Sequence, residues 1–180
     1  LGAEGAVDVA GDAATLDYAV SAQALDPIAR AYDVDAGGAL RVNGLLAGAL
    51  SAPVLSGEVA LEALSFQGEP YGQVTLAHEV TLGPEPEGAL SLIAEGSRFG
   101  PARAAAGFRL AEEVLTVSGF EADALGATAS GDVAVRLAET LLDGAVRLRW
   151  DDPSRIAALV GQEMAGSADL TVTLTPEDGR

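Results

Sequence analysis

The chain has 180 residues, with 27 acidic side chains against 10 basic ones, all of them arginine, for a net charge of −17. That balance repels nucleic-acid phosphates and anionic membrane surfaces, so neither is expected as a partner. With no cysteine, a disulfide framework and a thiolate metal site are both excluded.

Mean hydropathy is nevertheless +0.27, and a chain both hydrophobic and acidic suits elements with one dry and one charged face. No uncharged apolar run reaches 18 residues, so any membrane anchor is expected outside this stretch. The chain starts at Leu1 and its one methionine is Met164, which reads as a segment of something longer.

In chain order, Val7 and Val9 alternate with Asp8. After Gly11-Asp12, residues 16–20 alternate again, so a hairpin is predicted. Asp26 is placed as a helix cap with Pro27 at the first helical position, opening one or two turns over residues 28–32. Gly37-Gly38 is read as a reversal, and Leu40 and Val42 begin a strand that Ala52-Pro53 breaks. Val59 and Leu61 alternate up to Phe66, and Gly68-Glu69-Pro70 reads as a turn. The return strand has the clearest period: Val74, Leu76, His78, Val80 and Leu82 share one face, opposite Gln73, Thr75, Ala77, Glu79 and Thr81.

A polar turn over 83–88 precedes Leu90 and Leu92, and a loop spans 96–101. Phe108 and Leu110 end a further strand; Glu112-Glu113 turns the chain, and Leu115, Val117 and Phe120 return. Val133, Val135 and Leu137 alternate next, then Val146, Leu148 and Trp150. Asp152-Pro153 opens a second helix, Gly166 closes it, and Leu170, Val172 and Leu174 alternate with threonines. The units 16–50 and 145–176 thus read as two copies of one strand–helix–strand device, which points to a stacked or elongated architecture.

About ten strands with two short helices make an all-β protein. Strands of about ten residues would span roughly 33 Å. Such strands with one apolar face can form a sandwich, a barrel or an open trough, and alternation leaves all three open.

Chemistry has few candidates. His78 is the sole histidine, so no triad or zinc set forms around it, and a hydrogen-bonded or solvent-edge histidine is expected. Asp33-Val34-Asp35 begins like a calcium loop, but the closing position holds Gly44. Glu112 and Glu113 face opposite ways if extended and read as a charged turn. No phosphate-binding or dinucleotide motif occurs. Trp150 and Phe108 read as packing residues rather than a ligand platform. No catalytic residue, metal site or cofactor is assigned.

The stretch 24–82 resembles the TamB family, inner-membrane subunits of the translocation and assembly module within the AsmA-like superfamily. The resemblance rests on a short Leu/Ala helix leading to Gly and a strand that ends Val42-Asn43-Gly44, on the Ala52-Pro53 step, and on the Leu-x-Phe-x-Gly-x-x-Tyr-Gly crest from Leu64 to Gly72. Residues 115–137 and 155–174 repeat the style.

The resemblance implies a periplasmic protein tethered to the inner membrane by a segment elsewhere. It implies a long antiparallel sheet curled into an open apolar groove, and a role in phospholipid transport or in the assembly of outer-membrane proteins alongside a BamA-like barrel. Among the shapes left open by alternation, it selects the trough, lined by Val59, Leu61, Val74, Leu76, Val80, Leu82, Leu92, Val117, Val133, Val135, Leu148, Leu170 and Val172. Its cargo would be acyl chains or an unfolded β-barrel strand, the latter received by β-augmentation. The rival readings are an exported β-solenoid, which the single asparagine disfavours, and a glycan-acting enzyme, which the scattered eight aromatics disfavour.

Overall fold

The computed structural model describes residues 2–8, 11–97, 100–138, 141–151, 153 and 166–175. Eleven strands run through them: β1 (Gly2–Asp8), β2 (Ala13–Ala22), β3 (Ala36–Gly48), β4 (Val54–Phe66), β5 (Glu69–Thr81), β6 (Glu87–Glu95), β7 (Ala102–Ala111), β8 (Val114–Ala124), β9 (Ala127–Arg136), β10 (Leu141–Trp150) and β11 (Ala168–Leu174). One helix, α1 (Asp26–Arg30), joins β2 to β3.

Each strand pairs antiparallel with its predecessor, giving one sheet in chain order. β1 and β11 do not pair, so the sheet stays open, an elongated form consistent with a curled groove. At a strand spacing near 4.8 Å it is roughly 50 Å wide.

The two-residue side-chain period and the pairing register sort the residues between two faces. One row runs Val20, Val42, Val59, Leu76, Leu92, Ala104, Ala122, Ala129, Leu148, Leu170 across ten strands. A parallel row runs Leu16, Leu46, Leu55, Val80, Gly88, Phe108, Val117, Val133, Gly144, Leu174. Arg41, Glu62, Glu87, Arg109, Arg147 and Asp169 fall on the other face, where Arg41–Glu62 (3.6 Å), Arg109–Glu85 (2.5 Å) and Arg147–Asp169 pair in solvent.

Among the described residues no second layer covers the apolar face. Among the described residues Ala14 is the only buried apolar side chain, and no large side chain is fully buried. The chain exposes 11,729 Å², whereas a compact protein of its mass would expose about 8,100 Å² by the usual area scaling. The excess is what an unsealed face produces.

Bulges interrupt the ladders at several places. Between Leu61 and Leu64, β4 carries one residue more than β5, and Ala63 there adopts φ +50°. On β8 the extra residue lies between Val117 and Phe120, where Gly119 has φ +57° and its amide donates to Asp132 Oδ1 at 2.8 Å. The aspartate thus satisfies a donor that the ladder has lost, and each bulge bends and twists its strand.

Several local expectations need correction. Gly37-Gly38 is no reversal: both lie inside β3, with Gly38 at φ +125° opposite the β4 bulge. Asp26 is not the helix cap; Leu25 holds that position without a side-chain bond, and the helix ends at Arg30. Its exit is fixed by Asp33 N–H to Arg30 O and Val34 N–H to Ala29 O, with Asp33 at φ +55° where glycine is usual. The turn after β4 is Gln67-Gly68, with Glu69 and Pro70 already in β5. The second helix and Val9 lie outside the described residues.

Glu112 and Glu113 form the β7–β8 turn as expected, but both have positive φ, 49° and 63°. Two consecutive left-handed residues make a type I′ hairpin turn, which favours Asn-Gly. Replacing the pair by Asn-Gly is expected to raise stability by about 1 to 2 kcal/mol, because the left-handed conformation costs each L-residue about that much. A denaturant melt checks it; an unchanged midpoint would show that the turn carries no strain.

Candidate functional site

The strongest candidate is the apolar face. From β2 to β11, every residue whose side chain the register places there is apolar or glycine, except Tyr18, His78 and, beyond the β4 bulge, Glu69 opposite Phe66. No other Asp, Glu or Arg of the paired strands shares it, because each of them sits one position out of phase with the apolar rows.

Twelve of the thirteen residues predicted to line a groove lie on this one side by register. Val59, Leu76, Leu92, Leu148 and Leu170 belong to the first row described above, and Val80, Val117 and Val133 to the second. Leu61 and Val74 are cross-strand partners, Val135 pairs with Leu142, and Val172 with Val146. Leu82 lies just past β5, where its amide donates to Pro53 O at 2.8 Å. Most of these side chains are half-buried by their neighbours, whereas Leu170 on the edge strand is 54% exposed. Trp150 and Phe108, read as packing residues, share the same face opposite Ala127 and Gly88.

Periodicity did not reveal the polar pair. Tyr18 Oη lies 3.0 Å from His78 Nε2, reaching from β2 to β5 over two intervening strands. The row in register is Tyr18, Gly44, Gly57, His78, and the two glycines let the phenol lie against the sheet. A Cβ on Gly44 would come within 2.4 Å of Tyr18 Oη, and one on Gly57 within 2.8 Å. The available signal was Tyr18 at an apolar phase of β2 with glycines at the apolar phase of two successive strands. The expectation of a hydrogen-bonded histidine holds.

Hollows of about 530, 560 and 440 Å³ lie over β5 to β9 on the charged side. Ala77, Ala89, Ala105, Gly107 and Ser118 leave the space, because small side chains occupy adjacent positions on four strands. Arg103, Glu121 and Asp123 line the one of about 530 Å³. Among the described residues no three His, Asp or Glu gather as a metal site, and no helix is long and apolar enough to cross a membrane.

On the charged face, the Arg147 guanidinium hydrogen-bonds Asp169 and holds its carboxyl below the usual range, joining β10 to the edge strand β11. A lowered carboxyl contributes stability above its unfolded value, and loses that contribution as pH falls through the lower folded value. Both groups are fully exposed, so Asp169→Asn is expected to fray β11 only slightly near neutral pH. Amide exchange on residues 168–174 measures it; strong deprotection at neutral pH would show that the pair anchors the edge. No protein-family model, no curated protein and no solved structure matches the chain.

Proposed function

We propose that this chain is a non-enzymatic conduit or chaperone segment that holds acyl chains, or an unfolded outer-membrane β-barrel strand, against its apolar face. One observation carries the reading: among the described residues a face apolar over ten strands stands without a covering layer, while the charge of the paired strands, Glu69 at its margin excepted, is turned away from it. An exposed apolar surface this large on a protein marks a binding surface. Acyl chains suit it because they need apolar area and no specific hydrogen bonds. A client strand would instead add at an edge such as β11, where Leu170 and Val172 stay 54% and 43% exposed.

The resemblance to the TamB family places this activity in the periplasm, on a protein tethered to the inner membrane and working with a BamA-like barrel. The rival reading, a structural or adhesive β-solenoid, has no support from the meander, in which each strand neighbours its sequence neighbours in a single sheet.

Trp150 is the only tryptophan and lies on the apolar face, so it reports on contact there. A short-chain phosphatidylcholine with brominated tails, kept below its micelle concentration, is expected to quench its emission by more than half, and the unbrominated lipid is not. Emission unchanged by the brominated lipid at saturation would count against the acyl-chain reading.

A further inference from the structure

Within the apolar face, the Tyr18–His78 row offers a directed hydrogen bond. The tyrosine oxygen is 3.0 Å from His78 Nε2 and 3.5 Å from Ser56 O. The second distance is long for an O–H···O bond, and we assign the phenol proton to the imidazole, a choice that sets the histidine tautomer. Nε2 is then the acceptor and Nδ1 carries the ring proton.

No partner for Nδ1 occurs among the described residues, and it is not sealed either: the only fully buried side-chain nitrogen or oxygen lacking a partner there is Trp150 Nε1. With that tautomer, an N–H donor is open to a ligand. Leu55 and Val80 flank the row on one side, Val59 and Leu76 on the other.

We propose that His78, with its tautomer set by Tyr18, is the seat for the ester carbonyl of an acyl lipid whose tail lies along the flanking apolar rows. This rests on the acyl-chain reading of the face and names the part of the lipid that the face recognises. The occupant is the neutral ester rather than a free carboxylate or phosphate, because among the described residues no arginine lies on this face to neutralise an anion and the chain already carries −17. A neutral carbonyl accepts one hydrogen bond from the imidazole and needs no counter-charge.

The test compares three probes on the 180-residue chain: a polyene fatty-acid methyl ester, the corresponding free acid, and diphenylhexatriene, which has a tail-like body and no carbonyl. The ester is expected to bind best. His78→Phe is expected to weaken the ester about three- to tenfold, the loss of one hydrogen bond, and to leave diphenylhexatriene unchanged. His78→Gln, which restores an N–H donor, is expected to recover part of the loss.

In the unmutated protein labelled with ¹⁵N at histidine, the ester should shift the Nδ1 resonance and diphenylhexatriene should not. That measurement needs no folded variant. Equal losses of ester and hydrocarbon in His78→Phe, an unmoved Nδ1 resonance at ester saturation, or tighter binding of the free acid would each overturn the proposal. If diphenylhexatriene itself fails to bind the unmutated chain, the acyl-chain reading falls with it. If it binds and the ester gains nothing, only the role of His78 falls.

Discussion

Gly57→Ala is expected to cost about 2 to 3 kcal/mol, the range for forcing a methyl into a closed contact. The added carbon would lie 2.3 Å from Asn43 O, 2.8 Å from Gly44 Cα and 2.8 Å from Tyr18 Oη. The first two are backbone of the paired strand, so β3 and β4 must separate, and moving the tyrosine alone gives no relief. Gly44→Ala meets the same difficulty from the other strand, at 2.3 Å from Ser56 O. Neither glycine has positive φ, so the cost is one of close approach, not of backbone conformation.

Gly2→Ala is the control, because no atom lies within 4 Å of its added carbon; it should change stability by less than about 0.5 kcal/mol. Urea melts of the three variants decide the matter. Equal midpoints for Gly57→Ala and Gly2→Ala would mean that the strands do not approach as closely as described.

Particular residues show why some of this was legible in the sequence. Val74, Leu76, His78 and Val80 alternate with polar neighbours over a full strand, and that pattern fixes both strand and face whatever lies alongside. Residues 102–106 gave no such signal, since Ala102, Ala104 and Ala106 line the apolar face while Arg103 and Ala105 occupy the other. Alanine fits either environment, so β7 was visible only at Phe108 and Leu110.

The positive φ values at Asp33, Glu112 and Glu113 were hidden because nothing in an aspartate or a glutamate announces a left-handed turn as glycine does. Tyr18 and His78 are 60 residues apart, and only the register of four strands brings them into one row. Whether the sheet closes was beyond alternation as well, because a sandwich and an open sheet share the same two-residue period. The resemblance to a trough-forming family supplied that choice.

Leu76→Asp is expected to reduce capture of an acyl-tail probe by tenfold or more, because a carboxylate pressed against a hydrocarbon chain loses hydration with no partner in exchange. Leu76 stands between Val59 and Leu92 in an apolar row that crosses ten strands. Val135→Asp, between Leu115 and Leu142 at the other end of the sheet, should act in the same direction if the whole face takes part. In an open sheet the new carboxylate stays wet in the unliganded protein, so the melting temperature should fall only modestly. In a sealed core the same substitutions would unfold the chain.

Thr75→Asp and Ala134→Asp lie one residue away and face the charged side, so they add the same charge without touching the probe. The measurement is a diphenylhexatriene titration beside a thermal melt for these four variants and the unmutated chain. The expected result is strong loss of binding for Leu76→Asp and Val135→Asp, binding within about twofold for Thr75→Asp and Ala134→Asp, and cooperative melting in all five. Equal loss on both faces, or unfolding confined to the two apolar-face variants, would contradict an open apolar face as the binding surface.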